Sequence, residues 1–85
     1  MLLPYQNYQS IHHQRAWEDF KNGAEFGNSR AMYNLALSYE FGSAVELNDS
    51  EAFRWYYKAA ERGEASAMER MAIYYTTGLV FDKDA

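Results

Sequence analysis

The residue types that most often carry chemistry are few in this chain, and their spacing does not suit it. His12 and His13 are adjacent. Neighbours in sequence point to different faces of a helix, whereas two helical zinc ligands need i, i+4 spacing with a carboxylate close by. Exposed histidines near a helix start are the simpler reading. Ser10, Ser29, Ser38, Ser43, Ser50 and Ser66 lie in no strand-turn-helix context that would sharpen a nucleophile, and the absence of cysteine rules out a thiolate. Asp82 and Asp84 resemble the opening of an oxygen-rich calcium loop, but the remaining ligands and the central glycine of such a loop do not follow them. Glu18-Asp19, Glu61-Arg62 and Glu69-Arg70 read as solvated helix surface, with i, i+4 pairing worth a few tenths of a kcal/mol at about 0.2–0.5 per pair. No catalytic residue, cofactor site or metal site is expected, and the chain reads as a non-enzyme.

Composition narrows the remaining classes. A chain of 85 residues is one domain at most and buries only about 60–65% of its unfolded surface. Without cysteine, neither disulfides nor thiolate metal sites can supplement a small core. The supply of packing material is nevertheless large: 48% hydrophobic residues and 18% aromatics, with eight tyrosines and two tryptophans, too many for a disordered chain. A net charge of -4 and a pI near 5 are unsuited to a phosphate backbone, which needs clustered Lys and Arg, so no nucleic-acid partner is expected. Met1-Leu2-Leu3-Pro4-Tyr5 has neither the basic start nor the apolar stretch of a secretory signal, and no run is long enough to span a membrane. The chain as given reads as cytoplasmic, with no membrane partner.

The strongest signal is internal. At an offset of 36, Ala16, Ala24, Glu25, Gly27, Ala31, Met32, Ala36, Tyr39 and Gly42 pair with identical residues at Ala52, Ala60, Glu61, Gly63, Ala67, Met68, Ala72, Tyr75 and Gly78. Trp17/Phe53, Phe20/Tyr56, Leu35/Met71 and Leu37/Ile73 are conservative pairs. A period of this length marks stacked supersecondary units that cannot bury an apolar face alone. Ala52, Trp55, Tyr56, Ala59 and Ala60 recur along one helical face, with Asp49 as the expected cap. Gly27, Gly42, Gly63 and Gly78 stand where helix ends call for a left-handed residue. Helices are therefore predicted at about 11–26, 29–41, 49–62 and 65–77. The fold class is all-α, a short solenoid of antiparallel helix pairs.

The stretch from Ala31 to Gly42 (AMYNLALSYEFG), followed by Asp49 to Gly63 (DSEAFRWYYKAAERG), resembles the Sel-one-like repeat family, a relative of tetratricopeptide repeats. The resemblance runs from Ala16 to Gly78. It implies one repeat domain over residues 1–85: an N-terminal cap segment at 1–13, a degenerate second helix of a repeat at 14–28, a complete repeat at 29–64 and a partial repeat at 65–85. Ala36 and Ala72 stand where the family usually has glycine, which keeps a small residue where helices approach closely. Gly23 replaces the first alanine of an Ala-Ala pair, and Asp82-Lys83-Asp84-Ala85 echoes Asp49-Ser50-Glu51-Ala52. A solenoid of this kind needs about three repeats. The C-terminal end is therefore expected to belong to a longer array or to be covered by a partner or a second copy, as in a homodimer.

Family positions place Trp17, Phe20, Tyr39, Trp55, Tyr56 and Tyr75 in the core. That leaves Tyr33, Leu37, Phe41, Tyr57, Ile73 and Tyr74 as apolar residues in surplus. If the first helix of each pair lines the inner surface, as in tetratricopeptide proteins, Arg30, Tyr33, Leu37, Glu40 and Phe41 face a groove. Ser66, Glu69, Ile73, Thr76 and Thr77 continue it in the next repeat. Aromatic and aliphatic anchors beside a few charges are the composition of a protein interface. Packing of Tyr33 or Phe41 under Tyr5, Tyr8 and Ile11 is the intramolecular alternative. The expected role is an adaptor or scaffold that binds a protein or peptide through Arg30, Tyr33, Leu37, Glu40, Phe41, Glu69, Ile73 and Thr76. The alternative is a small inhibitor of the immunity type found beside toxins in bacteria, its acidity suiting a basic enzyme.

Overall fold

A computed structural model of the chain describes the backbone of residues 4–77 and the side chains of residues 14–77. Four helices follow in order: α1 (Pro4–Glu25), α2 (Ser29–Phe41), α3 (Asp49–Glu61) and α4 (Ala65–Thr77). No strand occurs among the described residues. His12, His13, Tyr5, Tyr8 and Ile11 lie outside the described side chains, and Gly78, Asp82 and Asp84 outside the described residues altogether.

The helix ends follow from local chemistry. α1 starts seven residues earlier than its periodicity predicts, with Pro4 at its first position, where a fixed φ suits the helix and the missing N–H would have had no intrahelical partner. At the α1–α2 junction the Gly27 N–H donates to Ala24 O and the Asn28 N–H to Gly23 O, both at 3.0 Å, while Gly27 takes a φ of 94°. The α3–α4 junction repeats this: Gly63 N–H to Ala60 O at 2.9 Å, Glu64 N–H to Ala59 O at 3.1 Å, and a φ of 92° at Gly63. This paired bonding closes a helix through a left-handed residue that only glycine adopts cheaply. Asn28 then caps α2, its side-chain oxygen accepting from the Ala31 N–H at 2.9 Å. α3 is capped not by Asp49, as its sequence suggests, but by Asn48, which accepts from the Glu51 N–H at 3.1 Å. Asp49 and Glu51 instead sit in the first turn, where negative charge favours the helix dipole.

Packing is sequential: α1 lies on α2, α2 on α3 and α3 on α4, in a body of 45 × 28 × 16 Å. Ala24, Met32, Leu35, Ala36, Ala52, Tyr56, Ala59, Ala67 and Tyr74 form the core, with Trp17, Phe20, Tyr39, Phe53 and Trp55 half-buried around it. Small residues set the helix spacing. A Cβ on Gly23 would lie 2.8 Å from the Ala31 Cβ, so the departure from the Ala-Ala pattern at this position is what lets α1 approach α2.

Three sequence expectations reverse at the C-terminal pair. Tyr74, taken as surplus, is fully buried, whereas Tyr75, taken as core, is 55% exposed. Ala72, taken as a close-approach position like Ala36, is exposed. The physical reason is the same for all three. α4 packs on α3 through Ala67 and Tyr74, which leaves Ala72 exposed and puts Tyr75 at the margin of that contact, its ring edge 5.9 Å from Phe53.

Candidate partner-binding surface

α2 and α4, the first helices of successive units, lie side by side. Arg30 Nη1 at the start of α2 donates to Glu64 Oε2 at 2.9 Å and reaches Ser66 Oγ at 3.5 Å. Its guanidinium also lies over the Tyr33 ring, 4.9 Å from the centroid. Further along, the Arg70 guanidinium bonds Glu40 Oε2 and sits 5.7 Å from the Phe41 ring centroid. Two arginine clamps therefore join the helices, each with an aromatic ring of α2 beside it.

The strip predicted from sequence divides into anchors and supports. Phe41, 64% exposed, and Ile73, 43% exposed, are the large apolar groups offered to solvent. Leu37 is half-buried against the core. Tyr33 is half-buried as well, its ring 5.7 Å from that of Tyr56, so it both lines the strip and supports the core. Glu40 faces inward, its carboxylate accepting from the Tyr56 hydroxyl at 2.6 Å and from Arg70, with a side chain only 13% exposed. Glu69 and Thr76 are exposed, and the Thr76 hydroxyl donates to Ala72 O at 2.7 Å within its own helix. Arg30 and Tyr33 meet at one end of the α2–α4 contact and Phe41 meets Arg70 at the other, while Leu37 and Ile73 hold equivalent positions on α2 and α4 at the 36-residue offset. Glu69 and Thr76 occupy the positions on α4 that correspond to Tyr33 and Glu40 on α2.

Arg70 and Glu64 were not anticipated. The Glu69-Arg70 pair reads as solvated surface in the sequence, but Arg70 is half-buried and ion-paired to Glu40. Its counterpart at the 36-residue offset is Asn34, so the repeat gave no warning of a charge there. Burial holds the Tyr56 phenol well above its usual range, and the hydrogen bond and charge of Glu40 push it the same way. Arg70 is raised above its usual value chiefly by the Glu40 hydrogen bond. Tyr74 is raised chiefly by burial, and its hydroxyl meets no hydrogen-bond partner of normal geometry.

On the opposite side, the second helices α1 and α3 border a cleft of about 580 Å³, with Ala24 and Met32 among its lining and Trp55, Lys58 and Arg62 along its α3 wall. The Lys58 ammonium stands over the Trp55 ring at 4.7 Å. Glu25 and Glu61 also line this cleft, leaving it with balanced charge. Among the described residues, no three His, Cys, Asp or Glu side chains gather as metal ligands would, and no helix is long and apolar enough to cross a membrane.

Comparison with known proteins places this geometry. The Sel1 repeat family model matches residues 29–64 and 65–85. A crystal structure of a Sel1 repeat protein from Oxalobacter formigenes superposes with a TM-score of 0.74 at 38% identity, covering 76% of this chain and 27% of that one. Chitin synthase regulatory factor 2 of Schizosaccharomyces pombe is 31% identical over 82% of this chain and 14% of its own length. The ERAD-associated E3 ubiquitin-protein ligase component HRD3A of Arabidopsis thaliana is 36% identical over 65% of this chain and 8% of its own length. The exopolysaccharide production negative regulator of Rhizobium meliloti is 32% identical over 86% of this chain and 27% of its own length. The chain thus spans only a small part of each of these relatives.

Proposed function

Because this chain belongs to the Sel1 repeat family, we propose that it is a non-catalytic interaction module, an adaptor that holds a protein or peptide along the first-helix side of α2 and α4. The observation that carries this reading is the pair of exposed apolar anchors, Phe41 and Ile73, set beside two arginine clamps that hold α2 and α4 in register. Anchors on a rigid scaffold bind with little ordering cost, and buried aromatic and arginine groups dominate interface energetics. Relatives named as regulatory factors and as a ligase component support a role exercised through contact rather than turnover.

The experiment is capture of partners from the source cell by the intact chain and by a Phe41→Ala/Ile73→Ala variant. Both side chains are exposed, so the melting temperature should move little, consistent with surface changes within about 0.5 kcal/mol. Partner capture should be lost. Retained capture would remove this strip from the function. The relative named a negative regulator, together with the net charge of -4, supports a second reading in which the same strip occludes a basic enzyme. Inhibition of the captured partner's activity would distinguish the two.

A further inference from the structure

The two arginines that join α2 to α4 differ in what they leave open. Arg70 is half-buried, its guanidinium bonds Glu40 Oε2, and its Nε is buried without a partner among the described residues. Arg30 has a side chain 61% exposed. Its contacts to Glu64 Oε2 and Ser66 Oγ both use Nη1, so among the described residues the edge formed by Nε and Nη2 carries no hydrogen bond. That edge presents two parallel N–H donors, the fork that matches the two oxygens of a carboxylate.

The fork is also held in place. The guanidinium lies over the Tyr33 ring at 4.9 Å, and Glu64, which bonds Nη1, has a side chain only 16% exposed and accepts from Ser29 Oγ at 3.4 Å as well. With a ring beneath it and a fixed carboxylate on one edge, Arg30 has little rotamer freedom left to lose when a ligand meets the other edge. It is aligned, too, with the apolar anchor of its own helix. Phe41 follows Arg30 by 11 residues, which at 100° and 1.5 Å per residue puts it within about 20° around α2 and about 16 Å further along. One row of α2 thus carries an open donor fork at its start and the exposed Phe41 ring at its end.

We propose, building on the first-helix reading above, that Arg30 selects the partner: the docking segment of another protein places an aspartate or glutamate on the Nε/Nη2 edge of Arg30 and a large apolar side chain against Phe41. The separation of about 16 Å corresponds to three turns of a helix or about five residues of extended chain. The net charge of -4 does not oppose this, because a carboxylate in hydrogen-bond contact with the fork outweighs exposed charges beyond a Debye length of about 8 Å. Arg70 cannot serve the same purpose, since its charge is already matched by Glu40 below the surface.

A phage-displayed library of random 16-residue peptides, selected against the full chain, is the probe. Selected sequences should share an acidic residue at a fixed spacing from a leucine or aromatic residue, and selection against Arg30→Glu should put lysine or arginine at the acidic position. A synthetic peptide of one selected sequence then closes a double-mutant cycle by calorimetric titration. Arg30→Gln, and the amide in place of the peptide's acid, should each weaken binding by roughly tenfold, and the two together by little more than either alone. Arg30→Lys keeps a charge opposite Glu64 but lacks the fork; it should fall between, and it replaces Arg30→Gln in the cycle if that variant melts early. The proposal is overturned by a library that yields no binder, by an acidic preference that is absent or survives Arg30→Glu, or by two changes whose effects multiply. Sedimentation showing a dimer that Arg30→Glu dissociates also overturns it, since a second copy would then supply the carboxylate. Peptides without acidic preference that Phe41→Ala/Ile73→Ala still abolishes would remove this inference and keep the strip. Peptides that keep the acidic preference and bind that variant normally would remove the strip and keep the selection by Arg30.

Discussion

α2 and α4 occupy the same place in successive repeats and share Ala, Met, Ala and Tyr at matching positions, yet their environments are opposite. Met32 is 5% exposed and Met68 is 50% exposed; Ala36 is fully buried and Ala72 is open to solvent. The residue types are equal, so the difference lies in what covers them: α2 is enclosed by α1 and α3, whereas among the described helices α4 packs on α3 and meets α2 through the arginine clamps. In a stacked array each unit contacts only its neighbours. An identical sequence element is therefore core where a described helix lies over it and exposed where none does.

The largest test of this contrast is a paired substitution. Ala36→Glu places a charge in a fully buried site and should cost at least about 4 kcal/mol, enough to unfold a domain of this size. Ala72→Glu, the same change one repeat later, should stay within about 0.5 kcal/mol. Thermal melts of both variants check it. Equal damage would show that the α4 face is buried in solution.

A smaller effect separates the two fully buried tyrosines. Tyr56 donates to a carboxylate, so Tyr56→Phe should cost about 1.5 kcal/mol, as for hydrogen bonds to charged groups. Tyr74 gives up no hydrogen bond of normal geometry, so Tyr74→Phe should be neutral or slightly stabilising in the same denaturant titration.

The smallest effect is with pH. Burial raises both Tyr56 and Tyr74 above the usual tyrosine value near 10. Below that value both phenols are protonated in the folded and unfolded chains alike, and their contribution to stability is complete. Above it, the unfolded chain releases its protons first, so stability falls as pH rises. A Tyr56→Phe/Tyr74→Phe chain should lose stability more gradually on the alkaline side than the natural sequence. An unchanged slope would mean that other tyrosines dominate.

Much of the fold was legible in the residues. The 36-residue correspondence, the glycines after α1, α2 and α3, and the small-residue faces located both ends of α2 and the start of α4, because caps and periodicity are local properties. The start of α1 was not legible, since residues 4–13 have no counterpart one repeat on to reveal their helical state. The candidate strip was legible in part. Phe41 and Ile73 follow from helical spacing, but Glu40 turned out to face inward toward Tyr56 and Arg70, a partnership 16 and 30 residues away in sequence.

The sequence by itself determined the repeat, the helix pairs and which residues are apolar, all of which depend on local propensity and period. Only the tertiary structure decided which copy of each apolar face is covered, that Tyr74 rather than Tyr75 fills the last layer, and that Arg70 clamps Glu40. Those outcomes depend on whether a neighbouring helix is present at a given position. Burial is a relation between elements, and the residues on one helix do not encode it alone.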